Sequence, residues 1–139
     1  MLRYSKQVEK DSMLNTPCTF GIYMIDQVCR WLEEDIGGVA AMERRNIAQA
    51  DQVYAEIDRT GFWRSHVKKG SRSRMNLVFT TGDADLDTRF HKAAAEQGLS
   101  GLKGHRELGG LRASLYNAQT DASVEALVAF MREFQRSNG

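Results

Sequence analysis

Between Phe20 and Leu32 the apolar positions are so dense that Phe20, Ile22, Tyr23, Met24, Ile25, Val28 and Trp31 nearly surround a helix instead of striping it. A helix of that kind is buried on more than one side, so this segment implies a neighbour beyond an ordinary small core. Thr16 as N-cap and Pro17 in the first turn predict its start, and Gly37-Gly38 its end, giving one long helix over 17–36. The residues before it, 1–16, are polar and without helical period over their first twelve positions, and predict an extended lead-in. From Val39 to Arg59 the pattern narrows to a stripe of Met42, Ala50, Val53, Tyr54 and Ile57, with Glu43, Arg44, Arg45 and Asp51 largely opposite, the signature of an amphipathic helix. Gly61 ends it as a C-cap, and Phe62-Trp63-Arg64 reads as a short strand.

Met75 to Thr80 is a second strand by its apolar content, and Thr81-Gly82-Asp83 turns into a helix reaching Gln97 with Leu86, Phe90, Ala93 and Ala94 toward the core. Leu111 to Tyr116 alternates as a strand after the turn signal Gly109-Gly110, and Asp121 to Gln135 carries Val124, Leu127, Val128, Met131 and Phe134 at helical spacing. Long helices with short strands between them predict an α+β fold, a short mixed or antiparallel sheet covered by helices, over 37–139.

At 139 residues the chain suits one domain. Its 19 Lys+Arg and 18 Asp+Glu leave a net charge of +1, so nothing draws it as a whole to nucleic acid or to a membrane, and any anion site is local. No run is long enough to span a membrane and the first residues lack a secretory apolar stretch, which predicts a cytoplasmic protein. Cys18 and Cys29 lie eleven residues apart, three helical turns and too far for a disulfide, and are expected as reduced thiols in the core or a groove. The histidines, His66, His91 and His105, are too scattered to propose a metal site.

The candidate chemistry concentrates in Gly101–Asn117, where four glycines accompany Lys103, His105, Arg106 and Arg112. With the corner at Gly109-Gly110, Arg106 and Arg112 fall on either side of it, close enough to converge on one small anion with His105 as a further donor. A solvated surface hairpin fits the same residues. Thr16-Pro17 offers a second anion site, since first-turn amides and the helix dipole attract negative charge, against the alternative of a plain capping threonine. The basic stretch His66–Arg74 lacks an aromatic platform and reads as a solvated loop. No serine triad, phosphate loop or paired carboxylates are present, and no catalytic residue is assigned.

Ser12-Met13-Leu14-Asn15-Thr16-Pro17, Gly38-Val39-Ala40-Ala41-Met42-Glu43, Ser73-Arg74-Met75-Asn76 and the stretch Gly101–Ala118 together resemble the phosphoserine aminotransferase family, in order and spacing, over essentially the whole chain. The resemblance implies the small C-terminal domain of a fold-type I, class V transferase dependent on pyridoxal 5'-phosphate, which acts as a homodimer in serine and pyridoxine biosynthesis. It implies that Asn15 and Thr16 reach the phosphate of the partner subunit's cofactor, that His105 and Arg106 lie near the phosphate of a phosphorylated amino or oxo acid, and that Arg112 holds its α-carboxylate. It also implies that the Schiff-base lysine, the ring-stacking aromatic and the acid facing the pyridine nitrogen belong to a large domain preceding Met1, so that this chain alone is a fragment without turnover. Cys18 stands where the family has a second proline. A rival of another class is a non-catalytic module that binds a small phosphorylated acid or caps another subunit through its apolar helix.

Overall fold

The computed structural model describes residues 3–139; Met1 and Leu2, at the head of the expected lead-in, lie outside the described residues. The chain forms two compact units, 1–40 and 41–139.

In the first unit the expected extended lead-in is instead opened by a short helix, α1 (Tyr4–Val8). Its amides close locally, Glu9 N–H donating to Ser5 O at 2.9 Å, and Lys6 pairs with Glu9 at 2.8 Å. An exposed single turn needs no apolar stripe, which is why hydrophobic periodicity does not signal it. Asp11 and Ser12 then take φ of 47° and 65°, a region that short polar residues enter more readily than others. The long helix is present as α2 (Thr19–Arg30), continued by a wider π turn over Trp31–Asp35. Its N-cap is Cys18 and not Thr16, with no side-chain cap. Pro17 and Cys18 stay outside the helix, where the Thr19 N–H closes locally on Pro17 O at 2.9 Å. The first i to i−4 bond therefore runs from Ile22 N–H to Cys18 O, at 3.1 Å. No residue of α2 is buried, and Phe20 is 73% exposed. Cys18 and Cys29 are free as expected, but both are exposed and neither lies in the core.

The second unit is a two-layer α+β sandwich. The stripe on α3 (Val39–Thr60) is buried at all five expected positions, and α4 (Ala84–Glu96) and α5 (Asp121–Asn138) join it in one core. Asp83 caps α4 by accepting from Asp85 and Leu86 N–H at 2.8 and 3.1 Å. The sheet contains β1 (Asn76–Phe79), β2 (Lys103–His105) and β3 (Gly109–Ser114), all antiparallel, in the order β1-β3-β2. Leu77, Phe79, Leu111 and Ala113 point into the helical layer, where Phe90 is enclosed by the rings of Trp63, Phe79, Phe130 and Phe134. The alternate positions Asn76, Val78, Gly110, Arg112 and Ser114 form the opposite face, half-buried or exposed.

Two local expectations change. The strand at 62–64 shrinks to one bridge, Arg64 with Thr80, because Trp63 turns fully into the core. The corner of the hairpin is not Gly109-Gly110. Register pairs His105 with Gly109, so Arg106, Glu107 and Leu108 make the turn and both glycines begin β3. Both glycines take left-handed φ, 68° and 67°, and at Gly110 close approach adds to it, since a Cβ there would lie 3.0 Å from Phe79 O. Among the described residues, no helix is long and apolar enough to cross a membrane.

Candidate anion-binding site

The β2–β3 hairpin positions the candidate side chains, and its strand β3 is central, paired on both sides. β3 pairs with β1 through Val78 opposite Arg112, and with β2 through Lys103 opposite Leu111. Around the turn, the Glu107 N–H donates to His105 Nδ1 at 3.2 Å. That bond occupies the Nδ1 lone pair, so in the neutral ring the proton sits on Nε2, which is left as a donor.

His105 and Arg106 line one cavity of about 440 Å³ between the hairpin and α4. Ala84, Asp87, Thr88 and His91 supply its helical wall, at a spacing of one helix face, and Lys103 joins from β2. Five cationic or donor side chains, Thr88, His91, Lys103, His105 and Arg106, thus line the cavity with a single carboxylate, that of Asp87. The Asp87 oxygens are already engaged by Thr81 N–H at 2.8 Å and by the Thr80 and Thr81 hydroxyls at 2.6 and 2.8 Å. Among the described residues, none of Lys103, Arg106 and Arg112 forms an ion pair with a carboxylate. The cavity therefore suits an anion.

Arg112 does not join it. It lines a second cavity of about 350 Å³ with Leu99–Leu102, Ser114–Tyr116, Ser123 and Leu127. The two arginines do not converge on one small anion, because the turn lies at 106–108 and Arg112 stands well inside β3. Lys103 already stood in the glycine-rich stretch, whereas His91, which nothing in the sequence connects with it, is brought in by the packing of α4.

The basic stretch 66–74 is largely neutralised locally. Arg72 makes a two-pronged pair with Asp58 at 2.9 and 2.7 Å and lies over the Tyr54 ring, Lys69 reaches the same carboxylate at 3.1 Å, and Arg74 pairs with Glu43. The arginine hydrogen bonds in particular, against a partial burial cost, hold the Asp58 carboxyl down to about 2. In the first unit, Asn15 and Thr16 are exposed beside the uncapped first turn of α2.

An α+β sandwich presenting this hairpin matches known proteins. The family model for class-V aminotransferases matches residues 1–127, and the chain belongs to that family. Within it, the similar proteins are phosphoserine aminotransferases: that of Syntrophobacter fumaroxidans is 50% identical over 139 residues, and that of Bacillus subtilis strain 168 is 48% identical over 139 residues. The alignments cover 100% and 99% of this chain but 38% of each relative, so the chain spans well under half their length. Among solved structures, a phosphoserine aminotransferase from Bacillus circulans subsp. alkalophilus superposes with a TM-score of 0.91 at 46% identity, over 99% of this chain and 38% of that one. A phosphoserine aminotransferase from Trichomonas vaginalis with bound pyridoxal phosphate superposes with a TM-score of 0.81 at 39% identity, over 93% and 37%.

The family implies pyridoxal phosphate, and the donors present fit one part of it. The Asn15 amide, the Thr16 hydroxyl and a helix start without a side-chain cap match a phosphate group. They do not supply a nucleophile for the aldehyde or an acid for the ring nitrogen.

Proposed function

We propose that the chain is the substrate-gripping part of a phosphoserine aminotransferase, whose intact form converts 3-phosphohydroxypyruvate and glutamate to phosphoserine and 2-oxoglutarate in serine and pyridoxine biosynthesis. The observation that carries this reading is the pair of separated cationic stations on one hairpin. His105 and Arg106 line one cavity and Arg112 another, and the strand from Gly109, opposite His105, to Arg112 covers about 10 Å. Two long side chains working across that span suit a ligand charged at both ends. His105 through Nε2–H and Arg106 hold the phosphate, and Arg112 takes the α-carboxylate two-pronged, which orients the α-carbon.

Pyridoxal phosphate, when bound, supplies the electron sink that removal of the α-proton requires. Asn15 and Thr16 hold its phosphate from the neighbouring subunit of a homodimer, and the exposed apolar side chains of α2, among them Phe20, Ile25 and Val28, are the surface that the remainder of such an assembly covers. The lysine that anchors the cofactor belongs, in this reading, to the part of the relatives that this chain does not span. The enzyme works in the cytoplasm.

Steady-state transamination by the intact protein, with phosphoserine and with glutamate as amino donors, tests the assignment. Activity with both donors, and loss of both on Arg112→Ala, is the expected result. Turnover of phosphoserine unaffected by Arg106→Ala and Arg112→Ala together overturns it.

A further inference from the structure

Asn76 is a polar amide in a four-residue strand whose other positions are Leu77, Val78 and Phe79, and asparagine is a poor strand residue. Register places it on the face that carries Arg112: Asn76 is the direct partner of Ser114, and Val78 of Arg112. Asn76 and Arg112 are thus diagonal neighbours, separated by about 7–8 Å between Cα atoms, a distance a long side chain closes. Val78, the neighbour of both on this face, brings no hydrogen-bonding group of its own that would compete for them.

The amide is oriented. The Ser114 hydroxyl donates to Asn76 Oδ1 at 3.0 Å, which commits the oxygen to the sheet and leaves Nδ2 with two N–H groups. Among the described residues, no acceptor takes them. Asn76 is half-buried, but its Nδ2 still reaches solvent, so both N–H groups stand open to an incoming acceptor. A carboxylate has about four lone-pair positions, and a two-pronged arginine uses two of them.

We propose that Asn76 is a specificity residue for the substrate's carboxylate, its Nδ2–H completing the grip that Arg112 begins and Ser114 holding the amide in the donating orientation. This rests on the assignment of Arg112 to the carboxylate. It adds a second donor on β1, so that the carboxylate is read from two strands and the register of β1 against β3 becomes part of the recognition.

The test is equilibrium binding of O-phosphoserine and of O-phosphoethanolamine, the same compound without its carboxylate, to the intact cofactor-loaded protein. Asn76→Ala should weaken phosphoserine by about tenfold, the worth of one hydrogen bond to a charged group, and leave phosphoethanolamine unchanged. The second ligand also reports that the variant is folded. An unchanged affinity for phosphoserine, or an equal loss for both ligands, overturns the proposal. Should Asn76→Ala not fold, Ser114→Ala serves instead: a smaller loss confined to phosphoserine supports the role of Asn76, and no loss overturns it. If Arg112→Ala leaves phosphoserine binding intact, the carboxylate assignment itself fails, which is a distinct result from Arg112→Ala failing to bind while Asn76→Ala binds normally.

Discussion

Arg106 and Arg112 belong to one hairpin but line different cavities, Arg106 beside His91 and Lys103 against α4 and Arg112 beside Leu102 and Tyr116. The division predicts that the two can be separated by substrate. Phosphoserine and glutamate share an α-carboxylate and differ at the far end, a phosphate in one and a singly charged γ-carboxylate in the other. Arg106→Ala should lower kcat/KM for phosphoserine by about 10²-fold, the scale of a lost charge-assisted contact, and lower it for glutamate by less. Arg112→Ala should lower both. Steady-state kinetics with each donor reads the difference, and equal effects of the two variants on both donors would count against separate roles.

Gly104 predicts a structural dependence of the same site. A Cβ at this position would run into the Gly109 and Gly110 carbonyls, and these are backbone atoms that cannot step aside without breaking the hairpin. Gly104→Ala should therefore open the β2–β3 ladder and weaken phosphate binding, while the core around Phe90 stays folded. Inorganic phosphate protection and near-ultraviolet circular dichroism from Trp63 report the two effects separately. Normal phosphate affinity in the variant would show that the ladder at Gly104 is not needed.

Glu56 ties α3 to α5. Its carboxylate is fully buried and accepts from Arg59 at 2.8 and 3.0 Å and from Arg132 at 2.8 Å. Burial opposes its ionisation, but the hydrogen bonds from the two arginines outweigh that and hold its carboxyl below the ordinary value. Both guanidinium groups are about half exposed, so solvent softens their loss of a partner. Glu56→Gln should destabilise the fold by about 1–2 kcal/mol, measured by urea denaturation at neutral pH, with no change in affinity for phosphate.

Asp58 predicts a pH window. Its carboxyl, held at about 2 chiefly by Arg72, ionises below the value of about 3.9 that it has in an unfolded chain. A depressed folded value means that its contribution to stability is complete above about pH 4 and disappears as pH falls toward 2. Asp58→Asn should therefore be less stable than the parent chain at pH 6, and the two should converge between pH 4 and 2. Denaturation midpoints at pH 6, 4, 3 and 2 read this directly. A difference that persists undiminished at pH 2 would mean that the Arg72 contact acts through packing and not through charge.

The sequence alone determined the helical layer. The stripes over 39–60, 84–96 and 121–138 are dictated by burial on one side at 3.6 residues per turn, and Met42, Ala50, Val53, Phe90, Val124 and Met131 occupy the core as that period requires. It also placed the candidate anion-binding residues His105, Arg106 and Arg112 in one short glycine-rich run. Only the tertiary structure decided where these side chains point. Two glycines in sequence look the same whether they make a turn or begin a strand, and the choice here is made by the register that pairs Gly109 with His105 and brings Gly110 against the Phe79 carbonyl. His91 reaches the anion cavity because α4 packs beside the hairpin, Arg132 reaches Glu56 across 76 residues of chain, and Asn76 faces Ser114 because β1 and β3 pair in that register. Periodicity is a local property and is written along the chain. Register, cavity walls and ion pairs between distant segments depend on contacts that exist only once the chain has folded.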